Sequence, residues 1–326
     1  MRAVLDVGTN SVRLLVAKVS QGKVEPLTRE VKVTRLGQGV DERRRLDPVA
    51  MGRTLAALSE LTALIPKGAP TSIMGTSAVR DAQNGKEFAE LVKMETGLSL
   101  QILSGLEEAE LSFKGAVFSL QDLHLPDPVT VVDIGGGSTE VYTGTRGGTL
   151  LGGGSAQVGA VRLLEKGESS DLSIDLSLLE PVVQENLKFS PKTLVAVGGT
   201  ATSLAAMIQD LQEYSDEKVT GFFCSLEELK KCYRKLGRLS LEERRHIPSL
   251  QAGREDVIVY GAAILIRVVE LPVLHEFWRP SLWLALATGQ LTEGVQIVYN
   301  IFWMCRGGGM ADATDLKSVG LSAREG

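Results

Sequence analysis

Apolar positions alternate with polar ones through the first 34 residues, and turn-forming residues interrupt them twice. Residues 3–7, 11–19 and 24–34 therefore read as three antiparallel strands. The period then changes. Met51, Leu55, Leu58, Leu61 and Ala63 recur at helical spacing within residues 48–65, which predicts a core-facing helix. A strand over 72–76, an amphipathic helix over 88–96 and a strand over 99–103 follow. Ser104 and Glu107 have capping-box spacing, so another helix starts there. On that helix Glu108 shares a face with Leu111, Ser112 and Gly115, while Glu107, Glu110 and Lys114 fall towards solvent. A carboxylate on the apolar, small-residue face is the exception to the pattern. It either serves the helix dipole from the first turn or acts as a general base looking into a cleft.

Residues 121–128, with Pro126 and Pro128, read as a connection. Beyond it, the β-branched run 129–134 is a buried strand that delivers Asp133 into Gly135, Gly136 and Gly137, followed by Ser138, Thr139 and Glu140. Three glycines let the backbone turn sharply and expose N–H groups, which bind anions. Asp133 and Glu140 beside such a turn are the oxygen ligands that a divalent cation bridging to phosphate requires. An ordinary hairpin with a flexible loop is the alternative. The N-terminus repeats the arrangement: Val4, Asp6, Gly8 and Ser11 stand 127 positions before Val131, Asp133, Gly135 and Ser138. An offset of about one domain length predicts a duplicated fold whose halves face each other across a cleft.

Strands over 140–145 and 149–153 and a helical region from Gly159 come next. A further strand over 193–197 breaks at Gly198, Gly199 and Thr200 into an apolar helix over 201–208, a third candidate anion cradle. Arg80, just after the strand over 72–76, either binds phosphate with its planar fork or pairs with Asp81 at the surface. The basic run 229–245 is a solvated helix face or a guide for a long polyanion. A long apolar helix covers 254–271, and periodicity fades from Val273 onward.

The chain has 326 residues, which suits two domains, expected over 1–125 and 126–300, with 301–326 a disordered tail. A net charge of −5 argues against a general nucleic-acid binder. Cys224, Cys232 and Cys305 form no CxxC pair and the three histidines are scattered, so neither a disulfide framework nor a zinc site is expected. The N-terminus has no signal-peptide pattern and the apolar run 257–266 is too short to span a bilayer. A soluble cytoplasmic protein is the expectation.

Five stretches, taken in order, resemble the exopolyphosphatase and guanosine pentaphosphatase family, a branch of the acetate kinase, Hsp70 and actin superfamily. They are Leu5-Asp6-Val7-Gly8-Thr9-Asn10-Ser11, the run 76–84 from Thr76 through Arg80 to Asn84, Ser104-Gly105-Leu106-Glu107-Glu108-Ala109, Val132-Asp133-Ile134-Gly135-Gly136-Gly137-Ser138-Thr139-Glu140, and Val197-Gly198-Gly199-Thr200-Ala201-Thr202. The resemblance implies an α/β fold of two RNase H-like (actin-like ATPase) domains around a central cleft. It implies hydrolysis of a terminal phosphoanhydride with a divalent cation, usually Mg²⁺. Glu108 is implied as the catalytic residue and Asp133 and Glu140 as the metal-associated acids. Phosphate contacts fall to Thr9, Asn10, Ser11, Arg80, Gly135, Gly136, Gly137, Ser138, Thr139, Gly198, Gly199 and Thr200. The substrate is inorganic polyphosphate or guanosine pentaphosphate, with a (p)ppGpp-binding sensor as the non-catalytic alternative; a homodimer stays open. One departure stands out: the family's Gly-Leu-Arg-x-Gly signature has its nearest match at Gln290-Leu291-Thr292-Glu293-Gly294, with Thr292 in the arginine's place.

Overall fold

In the computed structural model, which describes residues 1–20, 23–120, 123–167, 175–270 and 284–286, the opening alternation becomes β1 (Arg2–Val7), β2 (Ser11–Ser20) and β3 (Lys23–Val33), paired antiparallel in sequence order. A short α1 (Val40–Arg43) leads to α2 (Pro48–Thr62). Asp47 caps α2 by accepting from the N–H groups of Val49 and Ala50, and Pro48 occupies a first-turn position that needs no N–H partner. Next come β4 (Thr71–Gly75), α3 (Ser77–Asp81), α4 (Gly85–Thr96), β5 (Leu100–Ile102) and α5 (Gly105–Ser119). The first sheet has the order β3-β2-β1-β4-β5, with β4 parallel to β1 and β5 parallel to β4.

The second half repeats this plan. It runs β6 (Val129–Ile134), β7 (Thr139–Gly144), β8 (Leu150–Ala156), α6 (Ala160–Glu165), α7 (Glu180–Leu187), β9 (Thr193–Val197) and α8 (Gly198–Ile208). Then follow α9 (Asp216–Val219), β10 (Phe222–Cys224), α10 (Leu226–Arg238), α11 (Leu241–Arg245), α12 (Ile258–Glu270) and β11 (Leu284–Leu286). Among the described residues the second sheet is ordered β10-β11-β9-β6-β7-β8. Matching β1, β2, β3, β4 and β5 to β6, β7, β8, β9 and β11 preserves every parallel and antiparallel pairing, so the duplicated RNase H-like fold is present.

Strands β10 and β11 have no counterpart in the sequence expectation. Each is three residues long, too short for a period to show, and each is fixed by pairing with strands distant in sequence. The basic run divides into α10 and α11. Lys231, Arg234, Lys235 and Arg238 are exposed while Leu229, Cys232 and Leu236 are buried, which is the solvated-face reading. Residues 301–326, the stretch 271–283 and the Gln290 to Gly294 segment lie outside the described residues. Among the described residues no helix is long and apolar enough to cross a membrane.

Helix α5 carries Glu108 and packs on both sheets. Ala109, Phe113 and Ala116 meet Val129 and Val131 of the second sheet, whereas Leu111 and Phe118 meet Val4, Leu15 and Met74 of the first. This corrects the placement of Lys114, which is buried and ion-paired with Glu110 instead of facing solvent. A helix with a partner on either side has little free face, and one-helix periodicity assumes a single partner. Phe113 is fully buried where α5 meets the second sheet. Truncation to Ala is expected to cost about 3–5 kcal/mol in urea unfolding, and a loss below about 1 kcal/mol would show that α5 is not a shared core element.

Candidate active site

Strand parity aims the charged residues. On β1, Asp6 lies on the face of Val4; on β2, Arg13 lies on that of Leu15; on β6, Asp133 lies on that of Val129 and Val131; on β7, Glu140 lies on that of Tyr142. Those apolar residues belong to the clusters around α5, so the four charged groups converge on it from both sheets. The registers match: Asp6 is paired across its sheet with Arg13, and Asp133 with Glu140. Midway along α5, Ser112 Oγ donates to Asp133 Oδ2 at 2.8 Å, and in its first turn Glu108 Oε2 accepts from Arg80 Nη1 at 2.6 Å. Arg13 Nη1 lies 3.2 Å from Asp6 Oδ2, and Ser155 Oγ donates to Glu140 Oε1 at 2.7 Å.

Burial controls the acidity of this group. Loss of hydration raises the Glu108 carboxyl to about 7 against the opposing pull of Arg80. Burial likewise holds Glu140 well above the carboxylate range, reinforced by the negative charges of Glu108 and Asp133. Asp133 and Asp6 are raised by burial too, with Ser112 moderating the first and Arg13 the second. A carboxylate poised near neutrality has the basicity that proton abstraction from water requires.

The two turns share one construction. Gly8 N–H bonds Ser11 O and Gly135 N–H bonds Ser138 O, both at 3.0 Å. In the second turn the carbonyls of Gly135 and Gly136 accept from the first amides of α6, those of Ala160, Val161 and Arg162, and Gly137 O accepts from Arg162 Nε at 2.7 Å. In the first, Thr9 O accepts from Gly37 N, and Asn10 O accepts from Thr34 N and Arg35 N. A trans peptide points its N–H opposite its carbonyl. Tying these carbonyls back therefore turns the N–H groups of Asn10, Ser11, Gly136, Gly137 and Ser138 towards the cleft, as an anion requires. A Cβ on Gly137 would come within 2.3 Å of Ser77 Oγ and 2.9 Å of Thr9 Oγ1, so the halves meet at these turns.

The cleft so formed, about 710 Å³ including its open mouth, brings together Thr9, Asn10, Ser11, Glu108, Asp133, Gly135, Gly136, Gly137, Ser138, Glu140, Gly199 and Thr200. Three of the implied contacts are placed otherwise. Arg80 sits behind Glu108, bonded to it and to Leu103 O at 3.3 Å, and it also pairs with Asp81 at 3.5 Å, so the Asp81 alternative holds, half-buried instead of at the surface and joined by a partner on α5. Thr139 is fully buried and donates to Val158 O at 2.6 Å. Gly198, at φ 87°, lets Asp133 Oδ1 approach where a Cβ would stand 2.7 Å away.

A family model for the Ppx/GppA phosphatase family matches residues 15–276. The chain belongs to the Ppx/GppA phosphatase family. It is 33% identical over 285 residues to Exopolyphosphatase 2 of Mycobacterium tuberculosis, covering 81% of this chain and 88% of that protein. Its fold matches the crystal structure of an exopolyphosphatase from Cytophaga hutchinsonii with a TM-score of 0.80 at 26% identity, covering 95% of this chain and 99% of the other. The Ppx/GppA protein of Aquifex aeolicus matches with a TM-score of 0.70 at 28% identity over 92% and 97% of the two chains.

Several cleft residues of this Ppx/GppA chain escape a reading of the sequence. Arg13 had a signal: it stands 127 positions before Glu140, at the equivalent register position, with the opposite charge. Ser77 and Arg254 also line the cleft, and the Arg254 guanidinium lies against Gly199 at the start of α8, where a Cβ would be 2.1 Å away. Ser77 lies inside the 76–84 run that resembles the family, whereas nothing local marks Arg254. As for a cation, the oxygen donors Asp6, Asp133 and Glu140 and the buried, unpartnered Asn10 Oδ1 suit a hard ion. Among the described residues no group of three acids, histidines or cysteines is placed to hold a metal ion by itself. That set fits Mg²⁺, which takes one or two carboxylates and fills its remaining positions with water and phosphate.

The raised acids make a stability prediction. For an acid whose folded pKa exceeds its unfolded value, the folded chain holds a proton that the unfolded chain has lost. Stability is then full below the unfolded pKa and falls as pH rises, for Glu108 between 4.5 and about 7. Glu108→Gln carries no charge at any pH and should flatten this slope. It is expected to gain up to about 3 kcal/mol on the parent near pH 8, and little near pH 5, in urea unfolding with chelator present. Parallel pH profiles would show that Glu108 pays no desolvation cost.

Proposed function

We propose that this chain is an exopolyphosphatase, hydrolysing the terminal phosphoanhydride of inorganic polyphosphate and releasing orthophosphate. The observation that carries the reading is the placement of Glu108, raised to about 7, on α5 beside two turns whose carbonyls are tied away from the cleft. The turn N–H groups take up the negative charge on the terminal phosphoryl oxygens. Glu108 orients a water and accepts its proton as the oxygen attacks phosphorus. The anhydride P–O bond breaks, its bridging oxygen stays with the shortened chain, and orthophosphate carries the water's oxygen. Arg80 holds the Glu108 carboxylate in place. Asp133 and Glu140 would hold Mg²⁺, which supplies positive charge against the phosphoryl and bridging oxygens when bound. The exopolyphosphatase relatives support the substrate assignment. Two buried free thiols, Cys224 and Cys232, suit a reducing cytoplasm.

Phosphate release from long-chain polyphosphate, and in parallel from guanosine pentaphosphate, tests the reading. Polyphosphate is expected to be the faster substrate. Glu108→Gln should lower kcat by about 10²–10⁴ with substrate binding largely kept. Turnover near the parent's would remove Glu108 from the role of base. Binding of guanosine tetraphosphate without phosphate release from either substrate would point to a sensor. The cation assignment is checked without turnover: Mg²⁺ should raise the Tm of the parent and leave Asp133→Asn unchanged.

A further inference from the structure

The Arg162 side chain, on α6, is only 10% exposed, and its guanidinium joins the halves through all three nitrogens. Nε donates to Gly137 O at 2.7 Å, in the second half's turn. Nη2 donates to Asp81 Oδ2 at 3.2 Å, and Nη1 pairs with Asp41, both in the first half. Asp81 Oδ1 faces Arg80 Nε at 3.5 Å, and Arg80 in turn grips Glu108. A continuous line of polar contacts thus runs from the second phosphate turn through Arg162, Asp81 and Arg80 to Glu108. Fixing the Gly137 carbonyl also fixes the Ser138 N–H, which belongs to the same peptide plane.

Gln157 Nε2 also donates across the halves to Asp81 Oδ2 at 3.3 Å, but it bonds no turn carbonyl; three further links reach neither a phosphate turn nor Asp81. Arg29 pairs with Asp216 at 2.5 Å, Arg35 with Asp256 at 2.7 Å, and Glu165 accepts from Gly39 N at 2.9 and 3.0 Å. None of these three side-chain contacts ends on a turn carbonyl or on a partner of Arg80. We infer that Arg162 is a positioning residue for the hydrolytic reaction: it sets the Ser138 amide and the Arg80–Glu108 pair together, and does so only when the two halves are closed on each other. The inference rests on the functional reading above. A planar fork reaches acceptors in three directions, whereas an ammonium on a flexible stem does not hold the same three in one plane.

Steady-state phosphate release from polyphosphate tests this with Arg162→Ala, Arg162→Lys, Asp81→Asn and Arg29→Ala. Arg162→Ala is expected to lower kcat about 10- to 100-fold with KM within about threefold, the pattern of misplaced catalytic groups. Arg162→Lys should not restore it, Asp81→Asn should lose kcat in the same direction, and Arg29→Ala should stay within about threefold of the parent. A kcat for Arg162→Ala within about threefold of the parent, a change in KM alone, or full rescue by Lys would overturn the inference. Circular dichroism checks folding; if Arg162→Ala does not fold, the Lys and Asp81→Asn variants decide by the same criteria. A parent that releases no phosphate defeats the functional reading instead. Small-angle scattering then judges the clamp: Arg162→Ala, or Arg162→Lys in its place, must have a larger radius of gyration than the parent, and equal radii overturn it.

Discussion

Burying α5 between two sheets is the constraint on which the cleft depends. The helix brings Ala109, Phe113 and Ala116 to one sheet and Leu111 and Phe118 to the other. Each sheet must turn its inner apolar positions to the helix, and residues two places further along a strand share that face. Hydrophobic packing thereby dictates where Asp6, Arg13, Asp133 and Glu140 point, without any polar contact having to do so. The capping box at Ser104 and Glu107 then fixes where α5 begins, and so where Glu108 stands.

Gathering four acids away from water is costly, and the structure offsets that cost partner by partner. Asp6 has Arg13, Asp133 has the Ser112 hydroxyl, Glu140 has Ser155, and Glu108 has Arg80. Glu140 is held well above its ordinary value by burial and by the negative charges of Glu108 and Asp133, which its serine hydroxyl partners only partly offset. The tied-back turn carbonyls add no charge, yet they orient fixed dipoles whose positive N–H ends face the cleft among its carboxylates.

Much of this was legible in the chain. The 127-residue offset marked the duplication, because a strand-turn-strand unit leaves a dense local signature, and the helical face singled out Glu108 because its neighbours are small or apolar. Lys114 misled because the period of one helix does not report how many partners it has. Thr139 and Arg80 were drawn away by acceptors, Val158 O and Glu108, that no spacing rule connects to them. Ser77 and Arg254 reach the cleft, and Ser155 reaches Glu140, through long-range packing. β10 and β11 exist through pairing alone.

The register equivalence of Arg13 and Glu140 means that the duplicated fold encloses a site without mirror-like walls. Where one half presents an acid beside a base, the other presents two acids, so the electric field has a direction across the gap that the backbone symmetry by itself would cancel. A linear polyanion looks much the same from its two ends; a container with unlike sides gives it a front and a back.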